Sequence, residues 1–248
     1  MKIIQCEQGS SDWWLARSGI PTASEFDRIV TPPDYRDKYD CGHEGCAHTS
    51  ENAAKKCKKG EGKAIKYQDV GMRQSVSINA YRNKLLAEWL RGKPDEGFQS
   101  EWMKRGHEVE AEARSAYAFI TDTEPEQVGF CLRNRVGCSP DALVNEDGGL
   151  EVKAPSPGVH VGYLLDGRVP LTYRVQILGS LYVTQRDWWD FCSYHPDLEP
   201  LIIRTWRKDV EKELEALHEA LMAFVARLDK AKAQLIERGY TPKAQEAA

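Results

Sequence analysis

The chain has 248 residues, 41% of them hydrophobic and 29% charged, which excludes a fibrous or wholly disordered protein and is enough for one sizeable core. No apolar run approaches the ~18 residues of a membrane span, and MKIIQCEQGSSDWW contains no export signal, so a soluble cytoplasmic protein without a membrane partner is expected. Net charge is −4, yet residues 55–105 hold thirteen Lys/Arg against six Asp/Glu, which reads either as a basic face for phosphates or as a solvated loop.

Residues 13–30 read as two short helices around GIPTAS, the second capped by Thr22 or Ser24. Residues 31–70 are polar and rich in Gly, Lys and Cys, and read as an inserted loop outside the core. Helical spacing recurs over 75–91 (Val76, Ala80, Leu85, Ala87, Leu90), with Gly92 and Pro94 as the stop. A second helix is expected over 101–120, with Trp102, Gly106, Val109, Ala113, Tyr117 and Ile120 on one face. The pattern then shortens to strands at 127–133, 137–144 and 149–154, with a hairpin turn at 145–149. A helix over 170–185, strands at 188–194 and 200–206, and a long amphipathic helix over 207–239 complete the chain. This order predicts an α/β (α+β) fold: one domain over 1–248, with a central mixed sheet flanked by helices, a polar insert at 31–70 and a C-terminal helix at 207–239.

Glu151 and Lys153 are one residue apart in a predicted strand, so both point to one face while Val152 points to the other. A carboxylate there suits a hard cation, and an ammonium can orient a water or steady charge at a phosphate. Asp141 lies ten residues upstream, and a Gly-Gly hairpin can return its carboxylate to Glu151. A divalent ion between them would remove their repulsion; a surface ion pair on an edge strand is the plainer reading. Glu110 borders the apolar face of its helix and reads either as a further ligand or as a solvated glutamate. Arg17 with Thr22 and Ser24 near a helix start suits an anion, or is a surface arginine beside a plain cap. Trp13 and Trp14 read as a base-stacking pair or as one core and one surface residue.

Seven cysteines without an export signal are expected to be reduced. Five soft or borderline ligands, Cys41, His43, Cys46, His48 and Cys57, fall within the insert. They read as a structural Zn²⁺ site with non-standard spacing, or as incidental residues of a flexible basic loop.

GCSPDAL, LEVKAP, RGHEVEAEAR and EQGSSDWWLARSGIPTAS together resemble the phage lambda-type exonuclease (YqaJ-like) family of PD-(D/E)XK nucleases, from about Glu7 to the last helix. The resemblance implies that Asp141, Glu151 and Glu110 are metal-binding carboxylates, with the Val152 carbonyl as another ligand and Lys153 as the catalytic lysine. It implies Mg²⁺, with Mn²⁺ as a substitute. Arg17, Thr22 and Ser24 match the pocket for a 5′-phosphate, and Gln176 matches the family's helix glutamine. The family shows a second glutamine where this chain has Leu178. The activity implied is 5′→3′ digestion of double-stranded DNA from its ends, leaving 3′ tails for recombination in a phage-infected bacterial host cell. A ring-shaped homotrimer and a single-strand annealing recombinase as partner are implied with it. A structure- or site-specific endonuclease, or an end-binding protein without cleavage, are the alternatives.

Overall fold

The computed structural model describes residues 1–93 and 101–243, and among these the side chains of all but 101–108. Pro94 lies outside the described residues, and the positions of Trp102 and Gly106 on a helix face lie outside the described side chains. The chain forms two compact units, Met1–Pro32 with Gln74–Ala248, and Pro33–Arg73. No helix among the described residues is long and apolar enough to cross a membrane.

The larger unit starts with β1 (Lys2–Ile4), α1 (Ser11–Arg17) and a 3-10 turn at Ala23–Arg28. The smaller unit carries β2 (Asp34–Asp40), β3 (Ala47–His48), α2 (Glu51–Lys55) and β4 (Ile65–Gly71). The larger unit resumes with α3 (Ile78–Arg91), α4 (Glu101–Thr121), β5 (Pro125–Glu126), β6 (Phe130–Arg133), β7 (Val136–Cys138), β8 (Ala142–Val144) and β9 (Gly148–Lys153). It ends with α5 (Pro157–Asp166), α6 (Leu171–Thr184), β10 (Trp188–His195), β11 (Leu198–Trp206) and α7 (Glu211–Glu237).

Local chemistry accounts for several boundaries. Ser10 caps α1 by accepting from the Trp13 N–H at 3.3 Å, with Asp12 in the first turn and Arg17 in the last. Gly92 ends α3 in the left-handed region. The expected cap on the second short helix is absent. Thr22 makes no side-chain capping bond; it is buried and bridges to Gly137.

The main sheet has the order β11-β10-β9-β8-β5, with β9 and β10 parallel and every other pair antiparallel. A second, antiparallel sheet has the order β1-β6-β7. Side chains alternate along β9. Leu150 and Val152 join Ala113 and Tyr117 of α4, with Trp188 and Cys192, in one core cluster. Glu151 therefore faces the other side, where α6 packs against β9 and β10.

Four readings of the sequence need correction. Residues 137–144 are two strands in different sheets, because Pro140 has no N–H to continue a ladder. The Gly-Gly pair is inside β9; the turn precedes it and uses Asn145 at φ 50. The glycines let Trp188 and Trp189 of β10 cross the sheet, since a Cβ on Gly149 would lie 2.1 Å from the Trp189 ring. α5 has no counterpart in the sequence reading, because Gly158, Val159, Val161 and Gly162 are weak helix formers. Finally, residues 31–70 are not a bare loop: β3-β2-β4 form an antiparallel sheet within the smaller unit.

Gly149→Ala is expected to lower the unfolding free energy by about 1–3 kcal/mol, seen as a lower denaturant midpoint. An unchanged midpoint would contradict the close tryptophan approach.

Candidate functional site

Glu151 lies at the carboxyl end of β9 with only 2% of its surface exposed. A buried carboxylate needs partners. Lys153 Nζ donates to its Oε1, and so does Gln176 Nε2 from α6 at 2.5 Å. Lys153 is half-buried and lies 5.2 Å from the ring centroid of Tyr173. Burial pulls the Lys153 ammonium down, but Glu151 and Asp141 outweigh it, so its pKa stands above the ordinary lysine value. Leu178, where the family pattern has a second glutamine, is fully buried. Two residues on from Gln176, it occupies another side of α6 and faces the core.

Asp141 follows the Pro140 break. Its Oδ2 accepts from the Val152 backbone N–H at 2.5 Å. Ala142 pairs with Leu150, so Asp141 lies next to Glu151 across the β8–β9 ladder. Burial, then the charges of Glu151 and Glu110, push the Asp141 carboxyl well above its usual range, while Lys153 and the Val152 N–H oppose the shift. Glu110 is half-buried on α4 and accepts from Arg114. It comes from the α4 side of the sheet, whereas Glu151 and Gln176 meet on the α6 side.

A divalent cation fits this donor set. Three carboxylates and the Val152 carbonyl are all hard oxygen donors, as Mg²⁺ requires. After burial, the charges of Glu151 and Glu110 are what raise the Asp141 carboxyl, and a cation held among the three would offset both. Glu110, Asp141 and Glu151 are held by Arg114, Val152 and the Lys153–Gln176 pair respectively, and their ligand atoms are not gathered at one point.

The segment 139–141 links this cluster to a second one. Ser139 Oγ accepts from Trp13 Nε1 at 2.8 Å and from Arg17 Nη1 at 3.0 Å. Arg17 also stacks over the Trp13 ring, 4.1 Å from its centroid. Gln8 fixes the break from the other side by donating to the Pro140 and Val128 carbonyls at 2.7 and 2.8 Å. Burial lowers the pKa of Arg17, and among the described residues no carboxylate forms an ion pair with it. A small cavity of about 40 Å³ is lined by Arg17, Thr22, Lys84, Glu25 and Glu88. Lys84 donates to Glu25 at 2.9 and 3.0 Å, and Glu88 accepts from the Gly19 N–H at 2.8 Å. Ser24 is exposed, with its hydroxyl 3.4 Å from that of Thr22. Trp13 and Trp14 are both half-buried and meet edge to face at 4.7 Å, so neither is a core residue.

In the sequence Ser139 stands out only as part of GCSPDAL, and Gln8 and Tyr173 carry no assigned role. A serine directly before Pro140-Asp141 was the available signal for the first. The other two act through distant contacts that no local pattern records.

In the smaller unit, Cys41, Cys46, His48 and Cys57 bring their ligand atoms within 4.8 Å of one another. Cys46 Sγ is 3.3 Å from His48 Nε2 and 3.7 Å from Cys57 Sγ. The Gly60 N–H donates to the Cys57 carbonyl at 3.1 Å, and the Lys59 backbone N–H, the largest cause, lowers the Cys57 thiol to about 6. His43 is a correction: it is exposed and outside the cluster, because it sits in the turn between left-handed Gly42 and Gly45.

Residues 12–187 match the family described as YqaJ-like viral recombinase domain. No curated protein matches the chain. Among solved structures, an alkaline exonuclease (LHK-Exo) from Laribacter hongkongensis has a TM-score of 0.68 at 23% identity, over 93% of this chain and 97% of that one. The LHK-Exo complex with dAMP gives 0.67 at 24% identity, with the same coverage. A phage related exonuclease from Haemophilus somnus 129PT gives 0.50 at 12% identity, over 86% and 96%. These likenesses place the mixed α/β architecture in the PD-(D/E)XK-like fold. Through the match over residues 12–187, the chain belongs to the YqaJ-like viral recombinase family.

Proposed function

We propose that this nuclease digests double-stranded DNA from its ends in the 5′→3′ direction with Mg²⁺, leaving single-stranded 3′ tails. One observation carries the reading: the segment 139–141 holds Ser139 against Arg17 and Asp141 against the backbone of β9. Ser139, which holds a cation suited to a terminal phosphate, and Asp141, which belongs to a carboxylate cluster suited to hydrolysis, are thus two residues apart along the chain. The exonuclease found with dAMP, a mononucleotide, supports removal of single nucleotides.

Glu110, Asp141, Glu151 and the Val152 carbonyl would hold the metal, which when bound supplies Lewis-acid polarisation of the phosphodiester and activates water. Gln176 keeps the Glu151 carboxylate oriented. Lys153, on the same face as Glu151, presents an ammonium that positions the attacking water and steadies charge on the phosphate. Arg17 and the hydroxyls of Thr22 and Ser24 hold the terminal 5′-phosphate, which fixes where the next bond lies. The family resemblance extends the proposal to a homotrimeric ring and to an annealing recombinase as partner. Exposed Val159, Val161, Leu164, Leu165 and Leu171 support a protein contact surface.

Three outcomes are expected. On linear duplex with Mg²⁺, Lys153→Ala and Asp141→Asn each slow cleavage by about 10²-fold or more; full activity in both would remove the assigned centre. Arg17→Ala erases a preference for 5′-phosphate over 5′-hydroxyl ends worth about 10–100-fold, read by competition between labelled duplexes. Earlier release of a 3′ label overturns the polarity, and cutting of covalently closed circles favours an endonuclease. Light scattering is expected to show about three chains per particle; a monomer that digests DNA equally well would sink the ring.

A further inference from the structure

The nuclease reading makes no use of the Pro33–Arg73 unit. Within it, only Cys41 and Ala54 are buried. Two small side chains make no hydrophobic core, and a unit of about forty residues needs a metal, disulfides or a partner to stay folded. The strand pairing cannot supply the deficit, because three short strands with both faces wet are marginal by themselves.

The four convergent side chains supply what is missing. Cys41 follows β2, Cys46 precedes β3, His48 ends β3 and Cys57 follows α2. The ligands thus come from both ends of the β2–β3 connection, from β3 itself and from the segment after α2, so a single ion would tie these elements together. Gly60 lies against Cys41, where a Cβ would be 2.7 Å from the cysteine Cβ. That close approach is fixed by backbone bonds: the Gly60 N–H donates to the Cys57 carbonyl at 3.1 Å and the Glu61 N–H to the Cys41 carbonyl at 2.8 Å, which draws the Cys57 turn onto Cys41. Lys55, Lys56, Lys58 and Lys59 surround Cys57 in sequence. Three thiolates and one neutral imidazole around a divalent ion leave one negative charge, which these lysines suit.

We infer that Cys41, Cys46, His48 and Cys57 bind one Zn²⁺ in a closed structural site that holds the Pro33–Arg73 unit folded. Three sulfurs and one nitrogen fill a tetrahedron and leave no open position for catalysis. The set is too soft for Mg²⁺, which keeps this ion separate from the one proposed for the carboxylates. A Cys46–Cys57 disulfide is the competing account, but it leaves Cys41 and His48 converging on nothing.

The test uses the full chain purified without chelator. Elemental analysis is expected to give about one zinc per chain. Exchange with Co²⁺ should yield the strong visible bands of a tetrahedral thiolate site. His43→Ala should keep both signals, and Cys57→Ser should lose them. Chelation should open residues 33–73 to protease. Less than about a tenth of an equivalent of zinc, iron in its place, or a mass showing the Cys46–Cys57 disulfide overturns the inference. Metal content on the unaltered chain decides even if Cys57→Ser does not fold. Zinc content is read without reference to cleavage, so this inference and the nuclease reading can fail separately.

Discussion

Glu151 places a charge almost wholly inside the sheet, and the surroundings of β9 follow from keeping it there. An unpartnered carboxylate in such a place costs several kcal/mol. Lys153 and Gln176 meet that demand from the same strand and from α6. α6 can reach because the crossover after β9 carries it over one face of the sheet before β10 pairs in parallel. On the opposite face, Leu150 and Val152 pack with residues of α4, so one strand serves both a core and the candidate site.

The proline break supplies the second half of the arrangement. β7 and β8 lie in different sheets, and the three residues between them face two different clusters. Ser139 turns to Trp13 and Arg17, while Asp141 turns to β9. Gln8 holds the carbonyl between them. The spacing from the guanidinium to the carboxylates is thus set by rigid elements and not by a flexible loop.

Much of this was legible in the sequence, for reasons that differ by residue. Period-two alternation placed Glu151 and Lys153 on one face, and 3.6 periodicity marked the helices over 78–91 and 211–237. Gln176 was visible only through family resemblance, since its reach to Glu151 depends on the crossover. Long-range contacts such as Gln8 to Pro140 leave no local trace. α5 was missed because its glycines and valines obscure the helical pattern, even though Ser156 and Pro157 mark its start. The insert hid its strands because its alternation carries no apolar face, and the cysteine spacing alone did not separate His43 from His48.

The parallel pairing of β9 with β10 also bears on when the centre exists. β10 lies beyond α5 and α6, so the strand that completes the sheet next to Glu151 is made well after Glu151 itself. Parallel strands cannot pair until their crossover has closed, and such non-local contacts form late. During synthesis the growing chain carries Asp141, Glu151 and Lys153 long before Gln176 and β10 can organise them. The candidate site is therefore assembled only when the architecture around it is nearly whole.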